Sequence, residues 1–373
     1  MRRGRNVNRK GSVDISFITE WNVLAGDTIT LPTVATYLYN AQIDWNGEAT
    51  TICTAHNTGN SYTFVGSGIK TITVTGTFEA WSFNNSGTSR TKITKIIKWG
   101  DVKLKYIQAA FHGCTNLTNI TDLTPIVNNV NITSLTGFFR SCSNLTSVPD
   151  SIFSNLINVT GAGSTFFGSK ITLLSANLFR YNIQINTFSN CFQACTSLTT
   201  IPSDLFRYNT LVTSFFSCFE GCSKITAIPS DLFRYNTLVT SFSSTFQQCS
   251  ILASVPIDIF RYNPIVTNFS FVFYVCPLLT SIPNNLFYYN NLVTNYASAL
   301  NTTRSITLPA TIFNLSNLSI VTTFVQLLNV GSTVYSSTGI IQDIWNYTTA
   351  TSTDAFSNQT ALTNYAAIPL AWT

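Results

Sequence analysis

Apolar positions recur along this chain in two different rhythms. Over the first hundred residues they alternate with polar ones in short runs. Asp14 to Ile18, Thr28 to Leu31, Tyr39 to Trp45, Tyr62 to Val65, Ile69 to Val74 and Ile93 to Trp99 read as strands, with Gly and Asn between them. Ala25-Gly26-Asp27 reads as a turn between the first two. Short strands separated by turn signals predict a small β-sandwich over residues 13–105.

From residue 106 to 373 the rhythm is a repeat. The clearest unit runs Phe192-x-x-Cys195-x-x-Leu198-x-x-Ile201-Pro202-x-x-Leu205-Phe206-Arg207-Tyr208-Asn209. Cys195, Cys222, Cys249 and Cys276 are 27 residues apart, and so are Pro202, Pro229, Pro256 and Pro283, and Phe179, Phe206, Phe233, Phe260 and Phe287. Three independent columns at one period define a repeat array of about ten units, each too small to bury its apolar side alone. Weaker copies begin at Phe111, Phe139 and Phe166, and degraded ones at Leu300, Phe324 and Phe356, as expected of end units that face water.

Within a unit, Leu198 to Ile201 and Val212 to Phe215 are expected to be extended. Ser203 to Tyr208, after Pro202, is expected to make a short helical turn, closed by Asn209 in a left-handed conformation. The fold class expected is therefore mainly β: an N-terminal β-sandwich followed by a leucine-rich-repeat solenoid of about ten 27-residue coils with short helical turns. Its Phe, Leu, Ile and Cys columns become internal ladders.

Composition sharpens this picture. The chain is 45% hydrophobic but only 9% charged, against roughly 25% in ordinary domains, so Asn, Thr and Ser must cover much of the surface. The net charge of +5 sits in an arm, residues 1–12, where Arg2, Arg3, Arg5, Arg9 and Lys10 precede any acid. Such an arm is expected to be flexible and to anchor the protein on an acidic neighbour. A second basic stretch holds Arg90, Lys92, Lys95, Lys98, Lys103 and Lys105. No apolar run is long enough for a membrane span, and no leader pattern follows the first basic residues.

The unit Phe-x-x-Cys-x-x-Leu-x-x-Ile-Pro-x-x-Leu-Phe resembles the leucine-rich repeats of BspA-like surface proteins. Upstream, Trp21-Asn22-Val23, Gly26 to Pro32, Asp44 to Gly47, Tyr62-Thr63, Gly68 to Val74 and Trp81 to Asn85 resemble the PKD-like β-sandwich that precedes such repeats. Trp99 to Leu104 resembles the usual junction, and Ala355 to Trp372 the usual last unit. The sandwich motif is usually Trp-Gly-Asp-Gly; here Trp45-Asn46-Gly47-Glu48 stands in its place, so no turn or ion role is carried over. The resemblance implies adhesion and protein contact, not a reaction, in proteins of gut Bacteroidetes and the phages that infect them.

Chemistry-bearing residues are sparse. The two histidines, His56 and His112, sit in different regions and read as structural. Cys191 with Cys195 and Cys218 with Cys222 are spaced one residue wider than the common zinc pair, with no histidine nearby, so the nine cysteines read as core residues and no metal is expected. Asp204, Asp231 and Asp258 form the one acid column, but each precedes an arginine by three residues and reads as its ion-pair partner rather than as half of a glycan-cleaving dyad. No catalytic residue and no cofactor is expected.

What remains is a surface. Arg180, Arg207, Arg234 and Arg261 align, followed by Tyr181, Tyr208, Tyr235 and Tyr262, with Tyr289 extending the second column. Both residue types are enriched at binding hot spots. The simpler reading packs the tyrosines between coils and pairs the arginines with aspartates. The function expected is that of a non-enzymatic structural or adhesive protein on a phage virion surface: a fibre, decoration or host-recognition component. The expected partners are other virion or surface proteins, a host protein or glycan, and further copies of itself. An exported bacterial adhesin on the cell surface is the first alternative, and a glycan-cleaving β-solenoid the second.

Overall fold

A computed structural model describes residues 15–126, 130–301, 307–309, 311–313, 321–324, 327 and 338–339. The chain is mainly β; among the described residues the single helical element is a 3₁₀ turn, Ser89–Thr91. The arm residues Arg2, Arg3, Arg5, Arg9 and Lys10, and the copy at Phe356, lie outside the described residues.

The first region carries β1 (Phe17–Val23), β2 (Thr28–Thr30), β3 (Tyr39–Trp45), β4 (Thr50–Cys53), β5 (Ser61–Thr63), β6 (Gly68–Phe78) and β7 (Ile93–Lys98). A short β8 (Asn119–Ile120) completes a six-stranded sheet in the order β4-β3-β6-β1-β7-β8. β2 and β5 form a separate antiparallel ribbon. It packs on the sheet through Trp45, whose ring stacks on Tyr62 at 5.8 Å.

Alternation sets the inner face. Phe17, Thr19, Trp21 and Val23 of β1 are buried, as are Tyr39, Ala41, Ile43 and Trp45 of β3. The buried indoles of Trp21 and Trp45 donate to Thr19 Oγ1 at 2.8 Å and Thr51 Oγ1 at 2.9 Å. The first strand begins later than the alternation from Asp14 suggested, because its pairing with β6 runs from Phe17 to Val23. β4, which the sequence reading missed, is short and shows one inward residue, Cys53. Its outer edge is covered by the 55–60 loop, where Thr51 Oγ1 donates to the Gly59 carbonyl at 2.7 Å. The loop in which the Trp-Asn-Gly-Glu departure falls does make a tight turn. Asn46 and Gly47 both take positive φ, 62° and 74°, and Asp44 Oδ1 accepts from Gly47 N at 2.7 Å.

The repeats begin on the edge of this sheet. β8 pairs in parallel with β7, and Ala80 bridges Tyr106 in parallel. Ala109, Phe111 and Gly113 then donate to Thr136, Phe138 and Arg140 of the next unit. Hydrogen bonding thus crosses residue 105 without a break. An aromatic cluster spans the same join: Trp81 and Trp99 lie 6.1 and 6.0 Å from Phe111.

Eight successive units are joined by parallel bridges from Ser134 through Gly161, Thr187, Ser214, Ser241, Asn268 and Asn295 to Thr323, so the unit length varies between 26 and 28 residues. Of the expected extended segments, Val212 to Phe215 holds a single bridge residue, Ser214, and Leu198 to Ile201 holds none, so neither is a strand. From Phe215 to Gly221 the odd-numbered amides donate to Ser241, Ser243, Thr245 and Gln247 of the next unit. Cys218, Glu220 and Cys222 instead donate three residues back. Every second amide thus holds the unit's own bend and the others hold its neighbour, which neither a strand nor a helix does. Ser217 and Gly221 make the corners, with φ of 51° and 69°. At Gly221 the αL conformation costs little, as glycine lacks a Cβ.

The expected helical turn at Ser203 to Tyr208 is a chain of single turns. Leu205, Arg207 and Asn209 each donate three residues back, to Pro202, Asp204 and Phe206. Asn209 is not left-handed. It is wholly buried, and its Nδ2 donates to the carbonyls of Phe179 at 3.2 Å and Asn182 at 3.0 Å. Asn182, Asn236, Asn263 and Asn290 do the same in their units. The column reads as a turn signal in sequence and works as a buried amide ladder, because the preceding unit presents bare carbonyls there.

Three ring ladders fill the interior. Phe192, Phe219, Phe246 and Phe273 stack at 5.4 to 5.9 Å with planes within 8°. Phe188, Phe215, Phe242, Phe269 and Tyr296 make a second ladder at 5.8 to 6.0 Å. Phe206 with Phe233 and Phe260 with Phe287 belong to the third, between the other two.

Candidate functional site

The thiols belong to the interior. All nine cysteines are free and buried. Cys222, Cys249 and Cys276 each donate to the carbonyl of the phenylalanine 30 positions back, and Cys195 to that of Phe166, 29 positions back, at 3.1 to 3.3 Å. Ser169 fills the same slot and donates to Phe139 O at 2.6 Å. Burial pushes the Cys195 and Cys276 thiols up to about 12, which leaves them protonated and unreactive near neutrality.

The two histidines are held differently. His56 is exposed and bonded on both ring nitrogens, to Thr33 Oγ1 at 3.0 Å and Asn57 Nδ2 at 2.9 Å. His112 is partly buried; desolvation, then the charges of Arg140 and Arg90, lower its pKa and favour the neutral ring. Neither faces a nucleophile paired with an acid.

The arginine and tyrosine columns come together on the outside of the stack. Arg207, Arg234 and Arg261 sit on the turn that follows their unit's proline, and Arg180 on the same turn after Ser175, each beside a buried Leu-Phe or Ile-Phe pair that fixes that turn to the core. Arg207, Arg234 and Arg261 meet Asp204, Asp231 and Asp258 at 3.6, 3.4 and 3.2 Å. Arg180 meets Asn177 Oδ1 at 3.5 Å instead. The guanidinium groups also lie over rings. Arg180, Arg207, Arg234 and Arg261 are 5.1, 5.2, 5.2 and 5.0 Å from the rings of Tyr208, Tyr235, Tyr262 and Tyr289 in the next unit. Each is also within about 6 Å of the tyrosine beside it in its own unit, Tyr181, Tyr208, Tyr235 or Tyr262.

The stripe is therefore a ladder in which cations alternate with rings. Arg207, Arg234 and Arg261 pair with aspartates as the simpler reading held and Arg180 does not, while the tyrosines do not vanish between coils. Tyr181, Tyr208, Tyr235 and Tyr289 are 53, 36, 38 and 38% exposed. Beside them runs a column that sequence reading overlooked, Leu211, Leu238 and Leu292, exposed at 42, 44 and 48%. The signal was in the repeat: these leucines are three residues past each tyrosine and precede the buried Val212, Val239 and Val293. The acid column is spent on the arginines, which speaks against a free carboxylate pair there.

No protein-family model matches the chain, and no curated protein matches it. Among solved structures it is similar to a leucine-rich repeat protein from Bacteroides ovatus ATCC 8483. The two are 12% identical, with 86% of this chain and 97% of that chain covered and a TM-score of 0.24. A likeness of that depth carries no argument about ligand, partner or activity.

Proposed function

We propose that this chain is a non-catalytic contact protein: a leucine-rich-repeat solenoid of about ten coils that docks a protein partner along its Arg–Tyr stripe. The setting proposed is a phage virion surface, as a fibre, decoration or host-recognition component. The observation that carries the contact role is the cation–ring ladder from Arg180 to Tyr289. A guanidinium held between two rings and a carboxylate has already lost much of its rotamer freedom, so a partner pays little ordering entropy to engage it. The exposed leucine column adds apolar area beside the polar rungs.

The unpaired, buried thiols support assembly in a reducing compartment. That favours a virion over an exported adhesin, which remains the alternative. The test has two arms. Mass spectrometry of purified particles should find the protein, and its absence there ends the virion reading. A Tyr208→Ala, Arg234→Ala, Tyr235→Ala variant should fold normally and fail to assemble on particles or adsorb to hosts. Undiminished assembly and adsorption would end the role of the stripe.

A further inference from the structure

A hollow of about 500 Å³ opens in the N-terminal region between β2 and the 82–89 loop, far in sequence from the Arg–Tyr stripe. Thr30, Thr33, His56, Asn57, Thr88 and Ser89 are among the polar residues that line it. None of the lining residues is an aspartate, glutamate, lysine or arginine, although the same region carries five ion pairs elsewhere on its surface. The apolar residues that line it, Leu31, Pro32 and Phe83, are buried.

Side-chain bonds to backbone fix the walls. Thr30 N donates to Ser89 Oγ at 2.9 Å, which ties the ribbon to the opposite loop. The buried Asn60 donates to Leu31 O at 2.7 Å. On the rim, Thr33 Oγ1 accepts from Asn57 N at 3.1 Å and donates to Asn57 Oδ1 at 3.4 Å. The ring of His56 closes this circuit, with Nδ1 bonded to Thr33 Oγ1 at 3.0 Å and Nε2 to Asn57 Nδ2 at 2.9 Å. The network holds Asn57 at a φ of 56° and keeps the exposed imidazole in one orientation.

We propose that this hollow binds an uncharged polyhydroxylated ligand, a neutral saccharide unit of a glycan. No charged side chain lines the hollow, and the nearby Arg90 guanidinium is taken up by the Gly87 carbonyl. A sugar ring needs paired donors and acceptors at short intervals, which the Thr88 hydroxyl and the remaining proton and lone pair of the Asn57 amide supply, while the His56 ring, bonded on both nitrogens, offers its face. The volume falls within the range of small-ligand sites, and a pre-formed wall lowers the ordering cost of a weakly held ligand. Exposed His56, Asn57 and Thr88 leave the rim accessible to an internal unit of a longer chain. This site stands apart from the protein-docking stripe and does not depend on it.

The chain has two histidines, so the ring proton of His56 is a clean reporter and that of His112 an internal control. The full chain is titrated with glucose, galactose, mannose, N-acetylglucosamine and their neutral tetrasaccharides, followed by proton NMR and calorimetry. At least one is expected to shift His56 and leave His112 unmoved. Thr88→Arg, which places a long cation in the hollow from an exposed position, should weaken binding at least tenfold with an unchanged melting curve. His56→Ala, also at an exposed position, should do the same, and Tyr208→Ala should leave the affinity as it was. The proposal is overturned if no saccharide moves His56 at concentrations on the order of 10 mM. It is equally overturned if Thr88→Arg binds like the parent, or if only anionic saccharides or peptides occupy the site.

Discussion

The two regions of this molecule solve the same problem with different materials. The N-terminal sheet satisfies its backbone through strands brought together from distant positions, Phe17 pairing with Val74 and Tyr39 with Phe78. Its charges are paired one by one, Glu20 with Lys95, Asp27 with Lys92 and Glu79 with Lys105. The repeat stack satisfies its backbone through the next unit along, and its interior holds stacked rings, thiols and amides instead of mixed aromatics. One region is a long-range fold; the other is a one-dimensional chain of neighbours. Yet one continuous hydrophobic cluster runs through both, since Trp81 and Trp99 pack on Phe111. The sheet therefore acts as the end cap that the first repeat needs.

The strongest way to break that comparison is to cut the ring ladders. Phe233 is fully buried and packs against Phe215 at 4.6 Å, Phe242 at 4.7 Å and Phe206 at 6.2 Å. Phe233→Ala should cost about 3–5 kcal/mol, the usual range for a buried ring. Because coupling runs between neighbours, the loss should open the middle of the stack while the sheet stays folded. Hydrogen exchange read region by region checks this. Equal loss of protection in β3 and β6 would mean that stack and cap unfold as one unit, and the contrast drawn here would fail.

A smaller effect separates the two ways of satisfying buried carbonyls. Asn236 Nδ2 is the donor to Phe206 O at 3.1 Å and Asn209 O at 2.9 Å. Asn236→Ala strips both acceptors, at about 1–3 kcal/mol for each buried group left bare. The Thr51→Val change in the sheet removes the partner of an indole and the Gly59 carbonyl, at a part-buried site that water reaches. It should cost less than Asn236→Ala in chemical denaturation, and a larger cost would show that the amide column is incidental.

Much of this was legible because a repeat reports its own core. The 27-residue columns of Phe and Cys identified ladder residues without any knowledge of backbone geometry. Strand β3 was legible from alternation, and β7 was read as a strand although its buried residues, Ile93 and Ile96, are three apart. What was not legible has a common cause: the role of a polar residue depended on the unit beside it. Asn209 carries a turn signal in its own sequence, and only the bare carbonyls of Phe179 and Asn182 make it a core residue. Ser214 likewise reads as surface, while its hydroxyl accepts from Phe216 N at 3.2 Å and sets the bend of the coil. The hollow at Thr33, His56 and Thr88 was invisible for the opposite reason, since its residues share no period and meet through bonds between distant loops, Thr33 with His56 and Asn57 and Thr30 with Ser89.

Buried thiols should make the stack the more sensitive region in alkali, where the sheet has fewer raised groups, Cys53 at about 11 and Tyr39 at about 12, and paired carboxylates should make the sheet the more sensitive in acid. In the stack, burial raises the thiols of Cys191, Cys218, Cys222 and Cys249 well above their ordinary value, and Cys195 to about 12. Thiols of the unfolded chain lose protons near about pH 8.5 while the folded ones keep them. The stability they contribute is whole below that value and falls as pH rises towards the folded value. In the sheet, the Leu24 amide and Lys92 lower Asp27; Lys105 and the Leu38 amide lower Glu79 against the opposing effect of burial. Their contribution is present above the ordinary carboxylate range and is lost as pH falls through the lowered values. Thiol labelling should therefore rise first at alkaline pH. A stack that outlasts the sheet in alkali would contradict the assignment of those thiols to a dry interior.

The smallest expected effect on stability falls where the largest effect on binding is proposed. Arg234 and Asp231 are 46 and 49% exposed and lie 3.4 Å apart. Exposed pairs of this kind contribute little, because water screens the attraction and two long side chains lose freedom to make it. Arg234→Gln should shift the melting temperature by no more than about 2 °C. Asp231→Asn should do no more, since it leaves Arg234 over the rings of Tyr235 and Tyr262. The two variants differ in what they do to the ladder. The first removes a rung and should weaken a partner bound along the stripe; the second frees the guanidinium from its acid and should leave that partner bound, more tightly if it is acidic. Equal loss of binding in both would show that the ion pair itself is the recognised feature. A large loss of stability in either would show that the stripe holds the coils together and is not the free surface argued for.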